Sequence, residues 1–309
     1  MKYKTLFFGI ILFIAFVVSK HVFHDPSTRI CSWNIRFFGI NNQDHDSNKL
    51  YCQYISNYIK QIDPDILCLQ EVSSYSSLKQ LNSLLQEYEV YVSKETLDKN
   101  KKMIEKHGLK QLNTFIGDKT KDIGNVQFNV FLVKKHLHVR EFRSLHPKMI
   151  CLKYKDKQTG QFNNVYNCHF PSNYSGNNSG GRQKAILKLL RDIKRHEVKN
   201  VIISGDLNTE RKNGELTPLS NNFVDVFDYA NIQSRNLGIQ PVYTHCWDKN
   251  KNGIFDSGDK YSQIDYFFVS PRLVNRIWNV YVDTTFCGEN MGTLLHDLSD
   301  HCAIVMDMV

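Results

Sequence analysis

The chain is poor in proline, has no paired-cysteine motif and shows no internal repeat. Each absence removes a class of protein. With 7 Pro and 41% hydrophobic residues among 309, it is not an extended or low-complexity polymer. None of its eight cysteines falls in a CxxC pair, so zinc-ribbon and thioredoxin-type chemistry have no support. Without a repeat, solenoids and propellers drop out. After the first twenty residues no apolar run is long enough to cross about 30 Å of hydrocarbon. Acidic residues are the minority sign, 31 Asp and Glu against 39 Lys and Arg, for a net charge of +8. That favours polyanions or anionic surfaces as partners, although a solvated lysine-rich surface explains the same excess.

Residues 1–19 stand apart. Lys2 and Lys4 precede an apolar run from Leu6 to Val18, ended by Ser19, the pattern of a secretory signal. The expectation is a secreted or periplasmic protein, with membrane anchoring through residues 5–19 as the alternative. Residues 20–28 read as a short lead-in and 29–309 as one domain. The cysteines are Cys31, Cys52, Cys68, Cys151, Cys168, Cys246, Cys287 and Cys302. An even count in an exported protein permits disulfides, buried thiols account equally well for Cys31, Cys68, Cys168 and Cys302, which lie in or beside apolar strands, and no pairing is legible.

Aromatic residues reach 12%, which suits a strand-rich core. Strand patterns fall at Arg29 to Ile35, Asp65 to Gln70, Glu89 to Ser93, Val126 to Val133, His138 to Phe142, Met149 to Lys153, Val165 to Phe170, Val201 to Ser204, Gln263 to Val269, Val274 to Thr284 and His301 to Met308. Helical spacing marks Lys49 to Ile62, Ser77 to Leu85 and Arg182 to His196. Residues 95–122 are lysine-rich and irregular, and read as a solvated insertion or a DNA-contacting loop. Strands alternating with helices predict one layered α/β domain, its sheets packed together inside flanking helices.

The signal for chemistry is where the polar residues fall. Asp206-Leu207-Asn208 follows the apolar strand Val201-Ile202-Ile203-Ser204-Gly205. A carboxylate and a carboxamide two positions apart on a strand point the same way. Asn34, Glu71, His169, Asp265, Asp300 and His301 lie at or near the ends of other apolar strands. Carboxylates gathered at one mouth repel one another unless paired or bound to a cation. An oxygen-rich set without cysteine favours Mg2+ or Mn2+ over zinc. Each of these residues also has a plain structural alternative as a cap, salt-bridge partner or satisfied strand end.

Six short runs carry a family resemblance: Trp33-Asn34-Ile35-Arg36, Leu69-Gln70-Glu71-Val72, Asn167-Cys168-His169-Phe170, Gly205-Asp206-Leu207-Asn208, Ile264-Asp265-Tyr266 and Ser299-Asp300-His301. In this order they resemble the motif set of the endonuclease/exonuclease/phosphatase superfamily, and Trp33 to Gly39 is most similar to its secreted deoxyribonuclease I branch. The resemblance implies a four-layered α/β sandwich of two mixed β-sheets flanked by helices. It implies a Mg2+- or Mn2+-dependent nuclease that cuts DNA to leave 5′-phosphate ends and acts as a monomer. Glu71 then resembles the principal metal ligand, helped by Asn34, with Asp300 as a second carboxylate of the metal site. Asp206 and Asn208 match the pair that orients the attacking water and holds the phosphate. Asp265 matches the carboxylate that fixes His301, and His169 the phosphate-binding second histidine.

The chain also departs from that branch. Ser73 stands where the branch has an arginine, and Gly124 and Val126 where it has a tyrosine and a glutamate. Those departures weaken the case for double-stranded DNA and leave RNA open, with Gln127 and Asn129 as possible substitutes. Arg36 and Arg182 are candidate phosphate-binding residues. Asp248, Asn250, Asn252, Asp256 and Asp259 are spaced like a calcium loop, so a structural Ca2+ site competes with an Asn/Gly turn there. The alternative function on the same fold is a phosphatase or phosphodiesterase acting on phosphoinositides or sphingomyelin.

Overall fold

The computed structural model describes residues 27–38, 45–107, 127–173, 178–234, 243–247, 259–284 and 299–309. Their strands form two six-stranded sheets and a two-stranded ribbon. The first sheet contains β1 (Thr28–Phe38), β2 (Ile66–Val72), β3 (Tyr88–Tyr91), β4 (Phe128–Lys134), β13 (Ile277–Asp283) and β14 (Ala303–Met308), in the order β13-β14-β1-β2-β4-β3. The second contains β5 (His138–His146), β6 (Met149–Lys155), β7 (Phe162–His169), β8 (Val201–Asp206), β9 (Val224–Asp225) and β12 (Asp265–Val269), in the order β5-β6-β7-β8-β12-β9. The ribbon pairs β10 (His245–Trp247) with β11 (Lys260–Ser262). Each large sheet is mixed, since β1 runs parallel to β2 and β7 to β8 while their other pairings are antiparallel.

The two-residue period of the strands explains the layering. In β1, Ile30 faces the second sheet, whereas Cys31, Trp33 and Ile35 face outward. Ile66 and Cys68 of β2 face inward, and Leu67 and Leu69 outward. The inward set meets Leu152, Val165, Ile202 and Phe267 of the second sheet. Outside the first sheet, α1 (His45–Ile62) contributes Ile55, Tyr58 and Ile59 to the core, and α2 (Tyr75–Ser83) contributes Leu78 and Leu81. Outside the second, α4 (Ser179–Arg195) lays down Ile186 and Leu189. The result is the expected four-layered sandwich: helix, sheet, sheet, helix.

Lys94–His107 forms a helix, α3, where the irregular lysine-rich pattern predicted no regular structure. Its inner side is partly polar: Thr96 and Asn100 are buried, and Asn100 Nδ2 donates to the Ser73 carbonyl. Leu97 packs beside them against the apolar core, in a segment whose composition is otherwise dominated by charge. Two further helices are α5 (Thr217–Ser220) and α6 (Val226–Ser234).

Six cysteines, Cys31, Cys52, Cys68, Cys151, Cys168 and Cys246, are buried and not disulfide-bonded, whereas Cys302 is disulfide-bonded. Among the described residues no helix is long and apolar enough to cross a membrane. Residues 1–26, on which the signal expectation falls, lie outside the described residues.

Along the inward-facing positions the strands turn polar at one common end. In order, β1 presents Ile30, Ser32 and Asn34; β2 presents Ile66, Cys68 and Gln70; β7 presents Val165, Asn167 and His169; β8 presents Ile202, Ser204 and Asp206. The antiparallel β12 begins with Asp265, paired with Asp206. A network of buried amides floors this polar end. Gln70 Nε2 donates to Asn167 Oδ1 at 2.8 Å and to Ser32 Oγ at 3.1 Å. Asn167 Nδ2 donates to the Leu69 and Val130 carbonyls, and Asn129 Nδ2 to Asn167 Oδ1. The amide nitrogens are all paired, as buried polar groups usually are, and these bonds tie one sheet to the other.

Candidate active site

Backbone irregularities aim the polar tips. Asn34 ends the regular β1–β2 register, which shifts before Phe38, and the β2–β4 register shifts between Leu69 and Val72. Such bulges re-aim side chains. Arg36 (φ 34°), Glu71 (φ 60°) and Asn208 (φ 53°) all adopt left-handed backbone, at a cost of about 1–3 kcal/mol each for residues other than glycine. Gly205 (φ 129°) is required for a different reason: a Cβ there would sit 1.9 Å from the Cys168 carbonyl oxygen. Glycine thus allows β8 to close on β7 and bring Asp206 beside His169.

Asp206 is the hub. Its Oδ2 accepts from Asn34 Nδ2 at 3.1 Å and from Asn208 Nδ2 at 3.0 Å, while Oδ1 accepts the Asn208 backbone N–H at 2.8 Å. The same Oδ2 lies 3.7 Å from Nε2 of His169 and 3.7 Å from Nε2 of His301. His169 Nε2 is also 3.7 Å from Glu71 Oε1. His301 Nδ1 contacts Asp265 Oδ2 at 2.9 Å. The Ser299–His301 turn is pinned from three sides. Ser299 Oγ donates to the Asn34 carbonyl at 2.5 Å, the His301 N–H donates to Ser299 Oγ at 3.0 Å, and Trp33 Nε1 donates to the His301 carbonyl at 3.0 Å. Asp300 is partly exposed and lies 3.7 Å from Arg36 Nε.

The protonation states follow from this packing. Burial pushes the Asp206 carboxyl up to about 7, against the opposing pull of the His301 charge. Burial alone would lower His301, but Asp265 and Asp206 outweigh it and raise the imidazole to about 10. Burial lowers His169, reinforced by the charges of Lys148 and His301. Burial would raise Asp300, yet the neighbouring His245 and the charges of His301 and Arg36 bring it well below the ordinary carboxylate range. At neutral pH the site therefore holds one charged imidazole, one neutral imidazole and a carboxylate poised near neutrality.

The structure brings together Asn34, Glu71, His169, Asp206, Asn208, Asp265 and His301, with Arg36 and Asp300 paired beside them. Arg182 is the correction. It is 1% exposed and all three guanidinium nitrogens are committed: Nε and Nη2 to Glu215, and Nη1 to the Pro171 carbonyl and Asn173 Oδ1. It staples α4 to the loop after β7 and to Glu215, buried away from the cluster around Asp206. Of the proposed calcium loop only Asp259 is among the described residues; Asp248, Asn250, Asn252 and Asp256 lie outside them. Asn129 belongs to the amide floor, and Gln127 Oε1 accepts from Lys148 Nζ at 2.7 Å.

Two neighbours of the site escaped the sequence. Lys148, in the turn before β6, is partly buried and within electrostatic range of Glu71 and Asp206. His245 of β10 places its ring 4.7 Å from that of His301, and its Nε2 3.8 Å from Asp300 Oδ2. Lys148 was one lysine among many. His245 lies on a three-residue strand, too short for any periodic signal.

Two donor sets could hold a cation: Asp206, Asp265 and His301, and His245, Asp300 and His301, the ligand atoms of each within 4.8 Å of one another. The carboxylates Glu71 and Asp206 flank His169, and the buried Asp265 Oδ1 has no hydrogen-bond partner. That uncompensated Asp265 oxygen fits a hard divalent cation.

The motifs and this geometry place the chain in a class of hydrolases. The chain belongs to the endonuclease/exonuclease/phosphatase family, whose profile matches residues 31–301. Comparison with curated proteins gives no match. Among solved structures, the fold is similar to that of an endonuclease/exonuclease/phosphatase protein from Bacteroides vulgatus (18% identity, TM-score 0.62, covering 91% of this chain and 98% of that one). It is also similar to truncated Caenorhabditis elegans TDP2 (19%, 0.60, 91% and 97%). A third similar structure is D. rerio TDP2 complexed with a single-strand DNA product (17%, 0.57, 90% and 97%). These likenesses do not separate a deoxyribonuclease I-like branch from a TDP2-like one.

Proposed function

We propose that the protein is a divalent-metal-dependent phosphodiesterase that cuts DNA and leaves 5′-phosphate ends. The observation that carries this reading is Asp206 Oδ2, 3.7 Å from both His169 Nε2 and His301 Nε2. A carboxylate raised toward neutrality beside an imidazole held charged is an acid–base pair whose members are pushed apart by their surroundings. Asp206 takes the proton of the attacking water, and Asn34 and Asn208 fix the plane of its carboxylate. The His301 imidazolium, held by Asp265, faces the negative charge that develops on the phosphoryl oxygens. His169, neutral, hydrogen-bonds a phosphate oxygen. Lys148 and Arg36 add positive charge around the phosphate.

Glu71, with Asn34 and Asp300, would hold Mg2+ or Mn2+, which neutralises phosphoryl oxygen charge when bound. The net charge of +8 suits a polyanionic substrate, and the similar zebrafish structure holds a DNA product. The leader-like residues 1–19 support secretion as part of the same proposal.

The test is a substrate panel with Mg2+: plasmid DNA, single-stranded DNA, RNA, sphingomyelin and phosphoinositides. Cleavage of DNA in preference to the lipids supports the reading. Turnover of a lipid substrate alone moves the protein to the phosphatase or lipid phosphodiesterase side of the family.

A further inference from the structure

The Mg2+ position proposed above is built from oxygen donors and leaves His245 unused. No family motif quoted above includes His245, and it stands beside the reacting groups by construction. Its backbone forms a bridge with His301. The next N–H, of Cys246, donates to the Asp300 carbonyl at 2.9 Å, and the Cys302 N–H donates to the Thr244 carbonyl at 2.8 Å. The β10–β11 ribbon is thus laced to the Asp300-His301 turn, and the three side chains are held in mutual register.

We infer that His245, Asp300 and His301 form a second cation site, which takes a nitrogen-preferring transition ion such as Co2+ or Zn2+ and shares only Asp300 with the oxygen-rich Mg2+ position. Two imidazoles and one carboxylate are a common donor set for such ions, whereas Mg2+ prefers oxygen. One ligand atom from each residue lies within 4.8 Å of the others. Independently, both rings carry the outer partner that metal-bound histidines have: a group on the second ring nitrogen that fixes tautomer and orientation. For His245 it is Ser262 Oγ, 3.1 Å from Nδ1. For His301 it is Asp265 Oδ2, 2.9 Å from Nδ1. Each ring therefore presents Nε2 to an ion, and at His301 the ion takes the place of the Nε2 proton, which is released to solvent on binding. His245 is 19% and Asp300 30% exposed at the side chain, which leaves a path from solvent. Arg36, half exposed beside Asp300, can swing away as a cation enters.

The site has a consequence for turnover. His301 Nε2 is the nitrogen that faces Asp206, so an ion bound there competes with the phosphate for the same atom. The ion site itself does not depend on the substrate reading, because its test measures binding.

The experiment titrates the full chain with Co2+ in a fixed excess of Mg2+, followed by the visible d–d absorption of Co2+ and by calorimetry. The expected result is one Co2+ per chain that excess Mg2+ does not displace. His245→Ala should weaken Co2+ binding by about tenfold or more, and Glu71→Gln should leave it in place. Unchanged binding in His245→Ala, loss of binding in Glu71→Gln, or displacement by Mg2+ each overturns the inference. Should His245→Ala fail to fold by circular dichroism, Ser262→Ala decides: about tenfold weaker Co2+ binding supports the site, and unchanged binding refutes it.

Discussion

His301 Nδ1 sits 2.9 Å from Asp265 Oδ2, and its Nε2 sits 3.7 Å from Asp206 Oδ2. One imidazole is thus shared between two buried carboxylates. In the metal-free protein His301 should stay protonated up to a pH of about 10, well above an ordinary histidine. NMR titration of its ring protons checks this directly. Asp265→Asn removes the largest of the raising influences, and the midpoint should move down. A midpoint near the ordinary histidine value in the parent protein would mean that the imidazole is not held charged.

Asp206 should make the metal-free protein less stable as pH rises. Its folded-state pKa, about 7, lies above the unfolded value near 4. Between the two the unfolded chain has released its proton while the folded chain keeps it. The stability contribution is therefore complete below pH of about 4 and lost by pH of about 7. Asp206→Asn removes this dependence, so its stability relative to the parent should improve across that interval. Urea unfolding at several pH values reads the difference. Parallel curves would remove the argument that Asp206 is poised as a base.

Asp156 shows the opposite sign. It is buried; Oδ1 accepts from the Gln158 and Thr159 N–H groups and the Thr159 hydroxyl, and Oδ2 from Arg276 at 2.9 Å. Burial opposes ionisation, but these bonds win and the carboxyl falls below its ordinary value. Its contribution is present above the unfolded pKa and lost as pH falls through the folded one. Asp156→Ala leaves the Arg276 charge without its partner and should cost about 3 kcal/mol at neutral pH. The penalty should shrink in acid, again by urea unfolding.

Gly205→Ala tests the close approach that seats Asp206. A Cβ 1.9 Å from the Cys168 oxygen requires β7 and β8 to separate, and the left-handed backbone adds strain. The cost should reach about 4 kcal/mol or more, read as a drop in thermal midpoint or loss of soluble protein. A variant of parent-like stability would contradict the packing described between these strands.

Much of the fold was legible because its central strands are short, nearly continuous apolar runs, buried on both faces, and their polar tips coincide with short motifs. Asn34, Glu71, His169, Asp206, Asp265 and His301 each end or flank such a strand, so apolar runs and polar ends located them together. What escaped has physical reasons. α3 is anchored by the buried Asn100 and Thr96 beside Leu97, and its many lysines masked this seat in the sequence. Arg182 looked like a free cation at a helix start, and only the distant Glu215, brought close by folding, reveals it as a buried staple. His245 and Lys148 reach the site through tertiary register alone, from a three-residue strand and from a turn.

The central claim is that these carboxylates and imidazoles, with a divalent cation, hydrolyse a phosphodiester. The most direct measurement is cleavage of a labelled DNA oligonucleotide in Mg2+ by the parent protein, by folded Glu71→Gln and His301→Ala variants, and by the parent in EDTA. The account predicts cleavage by the parent, none in EDTA, and a loss of about 100-fold or more in each variant. Variants that cut at the parent rate, or cleavage that persists in EDTA, would contradict it.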